Sequence, residues 1–450
     1  MKAIKAKWLV TSSEETQENF GFIFNKSEII EILPNAEIDK LIVKGEVEEV
    51  IDAAEEIVCP GFINSHMHQY GLMSHGMVPR TQISNFDSFL ADYWWPDIEN
   101  QISKEDLLAG TYVSAAELLH SGCVALCDIL EAPFIEEDAL IAQGEALEKI
   151  GMRAVVSLES SERVNWDNGE RCLNMNREAV RHFKDSELIK GAICTHTTFS
   201  CSEEFIKLAS DMALEEDALL QFHLSESSYE PERIKREYNT KPVKIYEKVA
   251  ALRPTTLASQ CVKIDDEEIS LMAKYGAKAS HMPISNCEVG GGIAPIPSLL
   301  EAGIDVGLGT DGYVNNYFEL MRFAFLIHKA NHERTDIMPA DLVFKMATEL
   351  GAKAMGLTYS GLLKEGYVPD FVIIKADYPT PIRLNNVYDQ IVIYSNPEYV
   401  RDVYIAGTAI VKDGEITTFD EAAAKEKLLQ QTEKLWEDQG TARTKRQDFE

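Results

Sequence analysis

Between residues 57 and 310, short and almost continuously apolar runs alternate with longer stretches in which apolar side chains recur every three to four residues. The runs lie at 57–63 (IVCPGFI), 123–130 (CVALCDIL), 152–158 (MRAVVSL), 191–195 (GAICT), 218–224 (ALLQFHL), 255–261 (TTLASQC), 277–281 (AKASH) and 304–309 (IDVGLG). Apolar character on both faces is what a parallel strand needs when helices cover the sheet on either side. Among the intervening stretches, 103–122 is the clearest helix. Leu107, Leu108, Tyr112, Ala115, Leu118 and Leu119 recur at helical spacing behind a Ser103–Asp106 capping box and ahead of Gly122. Eight strands, each followed by a helix, predict an α/β fold: a (β/α)8 TIM barrel over residues 57–363.

The flanks carry a different pattern. AIKAKWLVTS, FGFIFN, EIIEIL and KLIVKG near the start, and PDFVIIKA, QIVIYS and VRDVYIAGTAIVKDG near the end, predict strands punctuated by turns. Residues 1–56 and 364–420 are therefore expected to pair into one small, discontinuous β-sandwich formed by both chain ends. Residues 421–450 are charged at helical spacing and predict a C-terminal helix and tail.

Charge narrows the partners. A net charge of −31 leaves no basic patch for nucleic acid or an anionic membrane surface. No run of 18 apolar residues occurs, and MKAIKAKWLVTSSEET lacks the pattern of a signal peptide. The eight cysteines are scattered, mostly inside apolar runs, with no CxxC pair. Reduced, buried thiols in a cytoplasmic protein are the expectation.

Chemistry enters through PGFINSHMH, where His66 and His68 stand two residues apart. On a helix such a pair diverges; on a strand it faces one side, close enough to share an ion. Taken alone, the pair reads equally as loop histidines in water. A TIM barrel concentrates its chemistry at the C-terminal ends of its strands, so metal-capable residues should fall where the apolar runs end. His66 and His68 follow the first run, His196 the fourth, His223 ends the fifth, His281 ends the seventh and Asp311 follows the eighth. His75, His120, His182, His328 and His332 fall in helical stretches or loops and read as surface or packing residues. First and eighth strands are neighbours in a barrel. His66, His68, His223 and Asp311 can thus converge on an N3O site for Zn2+ or Fe2+.

PGFINSHMH, THTTFSCSEE, FHLSES, SHMPISN and AGIDVGLGTDGYVNN together resemble the motif series of the metal-dependent amidohydrolase superfamily. They are most similar to its chlorohydrolase, guanine deaminase and S-adenosylhomocysteine deaminase branch, over about residues 57–356 and in GTAIVKDGEI. The resemblance implies that His66, His68, His223 and Asp311 hold one divalent metal ion, Zn2+ or Fe2+. It implies that Glu226, in HLSE, is the catalytic acid/base, with Asp311 accepting a proton from the attacking water. His196, His281 and Asn286 match positions that face the substrate. A small heterocyclic substrate of purine, pterin or triazine type, deaminated with release of ammonia, and a homodimer also follow from it.

Two departures qualify that picture. The fourth and sixth runs end CTHTT and LASQC, which lack the extra ligands of two-metal members and indicate a mononuclear centre. Gln260 stands where the deaminase branch usually has a histidine. A glutamine donates hydrogen bonds but carries no proton. Dechlorination or cyclic-amide hydrolysis at the same site, and a barrel that binds a ligand without turnover, therefore stay open. In the long segment after the first strand, Tyr93, Trp94 and Trp95 are candidates to stack on a planar ring or to pack that loop against the barrel.

Overall fold

Eight parallel strands close into a ring in the computed structural model, which describes residues 1–438. They are β1 (Phe62–Met67), β2 (Cys123–Leu130), β3 (Arg153–Leu158), β4 in two pieces (Ile189–Gly191 and Ile193–Cys194), β5 (Leu220–Leu224), β6 (Thr256–Gln260), β7 (Lys278–His281) and β8 (Val306–Leu308). Ile189–Gly191 bonds to β3 and Ile193–Cys194 to β5. The break at Ala192 thus lets one strand serve both neighbours and completes the barrel. Every residue of β1, β2, β3, β5 and β6 is buried, as the apolar runs require. The helix Lys104–His120 begins on the expected capping box, Ser103 and Asp106 each accepting from the other's backbone N–H. It ends before Gly122, at φ 85°, where an added Cβ would lie 3.1 Å from the Phe62 ring.

Both chain ends join one mixed sheet. Its order is Glu415–Ile416, Thr408–Lys412, Val400–Ile405, Phe371–Ile374, Glu49–Pro60, Lys2–Val10, Phe20–Phe24 and Ile29–Pro34, with Thr16–Glu18 added to Lys2–Val10. In a flat sheet Phe371 and Phe22, three strands apart, would be separated by roughly 14 Å. Their ring centroids are 5.3 Å apart, and Tyr404 stacks on Phe371 at 4.5 Å. The sheet therefore folds over on itself and encloses a core containing Ile4, Phe22, Phe24 and Phe371, which is the sandwich. A buried ion pair, Arg153 Nε to Asp370 at 2.8 Å, ties it to the start of β3.

Three local expectations differ from the structure. The run at 57–63 divides between two sheets. Glu49–Pro60 belongs to the sandwich, and β1 begins only at Phe62. The change occurs at Gly61, whose N–H bonds to the Asp370 carbonyl while that of Phe62 bonds to Gly122. There an added Cβ would sit 2.1 Å from Val124, so only glycine fits. KLIVKG lies largely in the helix Asn35–Val43, because Ile38, Leu41 and Ile42 recur at helical spacing and pack on Ala3 and Ile23. QIVIYS forms a wide helical turn, Gln390–Tyr394, with Ile391 and Val392 buried and its carbonyl at Ile393 capped by Arg322.

The C-terminal helix Glu421–Asp438 packs on Lys104–His120, held by His120 to Glu421 at 2.8 Å. Trp436 Nε1 donates to the Met73 carbonyl at 2.9 Å. The remaining tail, 439–450, lies outside the described residues. Among the described residues no helix is long and apolar enough to cross a membrane. Because Phe371 is fully buried at the centre of the sandwich, Phe371→Ala is expected to destabilise the protein by about 3–5 kcal/mol, read as a lowered denaturant midpoint.

Candidate metal and catalytic site

The exits of β1 and β8 are locked together by the backbone. Asp311 N–H donates to the His66 carbonyl at 3.1 Å, and His68 N–H approaches the Asp311 carbonyl at 3.4 Å. Left-handed residues then turn three strand exits into the barrel mouth: Ser225 (φ 50°) after β5, Gln260 (φ 74°) at the end of β6 and Asp311 (φ 61°) after β8. Such dihedrals are costly for non-glycine residues and persist where the surroundings over-determine them. A close approach seals the β1 exit: a Cβ on Gly71 would lie 2.9 Å from Gly312 Cα.

His66, His68 and His223 meet with ring centroids 4.9–5.4 Å apart, and their ligand atoms lie within 4.8 Å of one another. Asp311 Oδ1 stands 3.4 Å from His68 Nε2. His68 Nδ1–H donates to the Ile129 carbonyl at 2.8 Å, which leaves Nε2 bare toward the cluster. Both nitrogens of His66 and Nδ1 of His223 are buried without a hydrogen-bond partner. Burial, and next the neighbouring imidazoles, hold His66 and His223 well below the ordinary histidine range. Neutral rings with unpartnered lone pairs beside a carboxylate are the donor set a divalent metal requires, so the residues fit such an ion.

Gln260 has a defined place here. Its Nε2 donates to Asp311 Oδ2 at 2.8 Å, and its Oε1 accepts from Asn286 Nδ2. Burial pushes the Asp311 carboxyl up, yet His68, the Gln260 donor, His223 and the Gly312 N–H together carry it below the usual range. Glu226 lines the same cavity, and burial followed by the charge of Asp311 raises its carboxyl well above the ordinary value. One carboxyl of the mouth is thus ionised and the other keeps its proton, a division of labour suited to acid/base work.

Of the other candidates, His196 lies in the mouth, 5.5 Å from His223 between ring centroids, with its Nδ1 on Ser200 at 2.7 Å. Trp94 lines the cavity with Phe86 and Phe89, and its Nε1 donates to Tyr70 at 3.1 Å. Tyr93 packs edge-on against Trp94, while Trp95 lies under the Arg163 guanidinium at 5.0 Å. Neither lines the cavity, so of the three aromatics Trp94 alone faces it. His281 does not line it either. It is buried against His328, Nε2 to Nε2 at 3.1 Å, which makes His328 an interior residue rather than a surface one.

Glu131, Glu159 and Glu99 were not anticipated. Glu131 and Glu159 directly follow β2 and β3, in ILEAP and SLESS, so the strand-exit rule that located the histidines points to them as well. Glu131 lies 3.6 Å from His68 Nδ1 and 3.8 Å from His223 Nε2, and accepts from the Tyr70 hydroxyl. With His196 and His223 it makes a second group of ligand-capable atoms, sharing His223 with the first. Glu159 stands 3.8 Å from His196 Nε2. Burial and then the charge of Glu159 hold Glu131 well above the carboxylate range. For Glu159 burial is outweighed by His196 and Arg163, which keep it ionised. Glu99 forms a buried pair with Arg163 at 2.6 Å. A wider cleft of about 1120 Å3 opens among the N-terminal ends of the strands, beside Arg153 and Thr255, away from these groups.

The model of the Amidohydrolase family matches residues 57–410. The chain belongs to the amidohydrolase family. Among its relatives are a 5-methylthioadenosine/S-adenosylhomocysteine deaminase of Carboxydothermus hydrogenoformans, 30% identical over 84% of this chain and 86% of that one, and a 5'-deoxyadenosine deaminase of Methanosarcina mazei, 31% identical over 87% and 89%. An adenosine deaminase from Xanthomonas campestris with bound zinc shares the fold, with a TM-score of 0.87 at 21% identity over 96% of this chain and 98% of that one. A guanine deaminase from C. acetobutylicum with bound guanine matches with a TM-score of 0.75 at 22% identity, over 91% and 99%.

In this amidohydrolase the Asn286–Gln260–Asp311 chain steadies a would-be ligand from behind. Gln260→Ala is expected to weaken metal retention roughly 10- to 100-fold in a chelator competition, with the fold intact by circular dichroism.

Proposed function

We propose that the protein is a mononuclear metal-dependent aminohydrolase that removes an amino group from a planar nitrogen heterocycle and releases ammonia. The observation that carries this reading is the meeting of His66, His68, His223, Asp311 and Glu226 at one barrel mouth, with Asp311 ionised and Glu226 protonated. His66, His68, His223 and Asp311 are read as holding one ion, zinc or iron(II). Zinc is the metal in the Xanthomonas adenosine deaminase and in an atrazine chlorohydrolase of Arthrobacter aurescens. An ion bound there supplies Lewis acidity that brings the pKa of a water to about 7.

The side chains then divide the proton traffic. Asp311 takes a proton from the water as its oxygen bonds to the ring carbon bearing the amino group. Glu226 gives its proton to the adjacent ring nitrogen. The proton gathered at Asp311 passes to the amino group, the carbon–nitrogen bond breaks and ammonia leaves, while the new hydroxyl gives its proton to Glu226 as the carbonyl forms and the ring nitrogen keeps the proton it received. Gln260 supports turnover by holding Asp311 in place. His196, His281, Asn286, Tyr93, Trp94 and Trp95 complete the proposed substrate surroundings, of which His196 and Trp94 line the cavity and the others do not.

The cavity is only about 40 Å3, against roughly 300–1,000 Å3 for sites that enclose small molecules. A planar ring therefore needs more room than this cavity holds, and Phe86, Phe89 and Trp94, on the segment that follows β1, are part of its wall. The reading extends to a cytoplasmic homodimer. Seven buried free cysteines and exposed Cys287 agree with a reducing compartment, and light scattering measures the dimer.

Adenosine derivatives, guanine, pterins and triazines offered to metal-loaded protein should identify rings that yield ammonia. With the best of them, Glu226→Gln should lower kcat about 10^2- to 10^4-fold at unchanged metal content by elemental analysis. A variant that keeps its rate removes Glu226 from the mechanism, and a panel without ammonia refutes the reading. Stripping the metal should also lower the thermal midpoint, because the ion binds only the folded arrangement of its ligands.

A further inference from the structure

We propose that Glu230 is a positioning residue for the proton transfers at the barrel mouth: it braces the left-handed turn at Ser225 that carries Glu226 to the cavity. This rests on the aminohydrolase reading, in which Glu226 moves the proton, and adds the residue that sets where Glu226 stands.

Glu230 is the second residue of the helix Tyr229–Tyr238, which follows β5. A glutamate in the first turn of a helix ordinarily complements the positive end of the helix from the surface. Glu230 is instead 2% exposed, and its carboxylate turns back past the start of its own helix. Oε2 accepts from the Ser225 N–H at 2.5 Å. Oε1 accepts from both the N–H and the hydroxyl of Thr198, at 3.0 and 2.5 Å. Burial raises the carboxyl to about 7, and the Thr198 and Ser225 donors work against burial.

The donors lie where the chemistry is aimed. Ser225 directly precedes Glu226 and stands at φ 50°, an unfavourable conformation for a residue with a side chain. Its hydroxyl is buried without a partner, so the turn is held through its main chain. Glu230 takes the N–H, and the Lys263 N–H, after β6, donates to the carbonyl at 2.8 Å. The next carbonyl, that of Glu226, is covered by Gly291, where an added Cβ would lie 2.3 Å from the oxygen.

Thr198 supplies the anchor. It belongs to the β4 exit, which is tied to β5 by the His223 N–H on the His196 carbonyl at 2.9 Å. Glu230 is therefore a strut, seated on one strand exit and gripping the turn of the next. It is not in the cavity wall, and its bonds end on Thr198 and Ser225 rather than on a proposed metal ligand. Its effect on the reaction passes through Ser225 to Glu226.

The test uses the metal-loaded full chain and the ring that yields ammonia fastest. Glu230→Gln keeps the shape but sets an amide N–H against one of the flanking N–H groups. With one metal ion per chain by elemental analysis, it should lower kcat about 10- to 100-fold and leave KM within about threefold. Glu230→Asp keeps acceptor oxygens and should retain more of the rate. In the Glu226→Gln background, Glu230→Gln should cost less than about threefold, because the group it positions is already gone. Hydrogen exchange followed by mass spectrometry should find the Ser225 amide protected in the wild-type protein and exchanging at least about tenfold faster in Glu230→Gln. Multiplying losses in the double variant overturn the proposal, as does a KM effect at unchanged kcat or a Glu230→Gln protein that loses its metal. An unprotected Ser225 amide in the wild-type protein overturns it even if every variant misfolds. If no ring yields ammonia, the aminohydrolase reading fails, and the exchange measurement decides whether Glu230 braces the turn.

Discussion

The molecule depends on the backbone contact that joins the first and last strands of the barrel. Asp311 N–H to the His66 carbonyl, with His68 N–H facing the Asp311 carbonyl, closes the ring at the end where the chemistry lies. That contact sets three of the four proposed ligands in register before any side chain is considered, because His66, His68 and Asp311 are fixed by main-chain atoms of the two paired exits. His223 arrives from β5, across the mouth, and its ring comes within 5.0 Å of His66 by centroid. A barrel that failed to close between β8 and β1 would separate Asp311 from His66 and His68.

The same mouth concentrates what folding ordinarily avoids. His66 is fully buried with neither ring nitrogen bonded, Glu159 has an open oxygen, and three strand exits hold non-glycine residues at positive φ. Each is unfavourable by itself, by an amount on the order of 1–3 kcal/mol. The offset lies in the surrounding apolar shell, where β1, β2 and β3 are buried along their whole lengths. An ion among the histidines would satisfy an unbonded ring nitrogen of His66.

Much of this was legible in the chain because strand exits follow a simple geometric rule. The apolar runs located the strands, and His66, His68, His223 and Asp311 appeared at their ends. The capping box before Lys104 formed as its residues required. What escaped was long-range or hidden by composition. Gln260 looked like the loss of an acid/base group, and only its bonds to Asp311 and Asn286 give it a place. Glu131 and Glu159 obey the exit rule, yet in a chain with 74 acidic residues their sequence context looks like surface. KLIVKG misled because a short apolar run fits either period, and its three-to-four spacing is decided by contact with Ala3 and Ile23. His281 and His328 face one another across elements that sequence order does not connect.

The sandwich built from both termini has a consequence in time. Phe22 and Phe24 leave the ribosome early, whereas Phe371 and Tyr404, which close their core, arrive only after the whole barrel has been made. At ordinary synthesis rates the interval is roughly twenty to seventy seconds. Throughout it the first strands present apolar faces and an unpaired edge along Glu49–Pro60, a surface prone to wrong pairing. The barrel can condense while the N-terminal hairpin waits, so the last event of folding is the return of the chain to its own beginning.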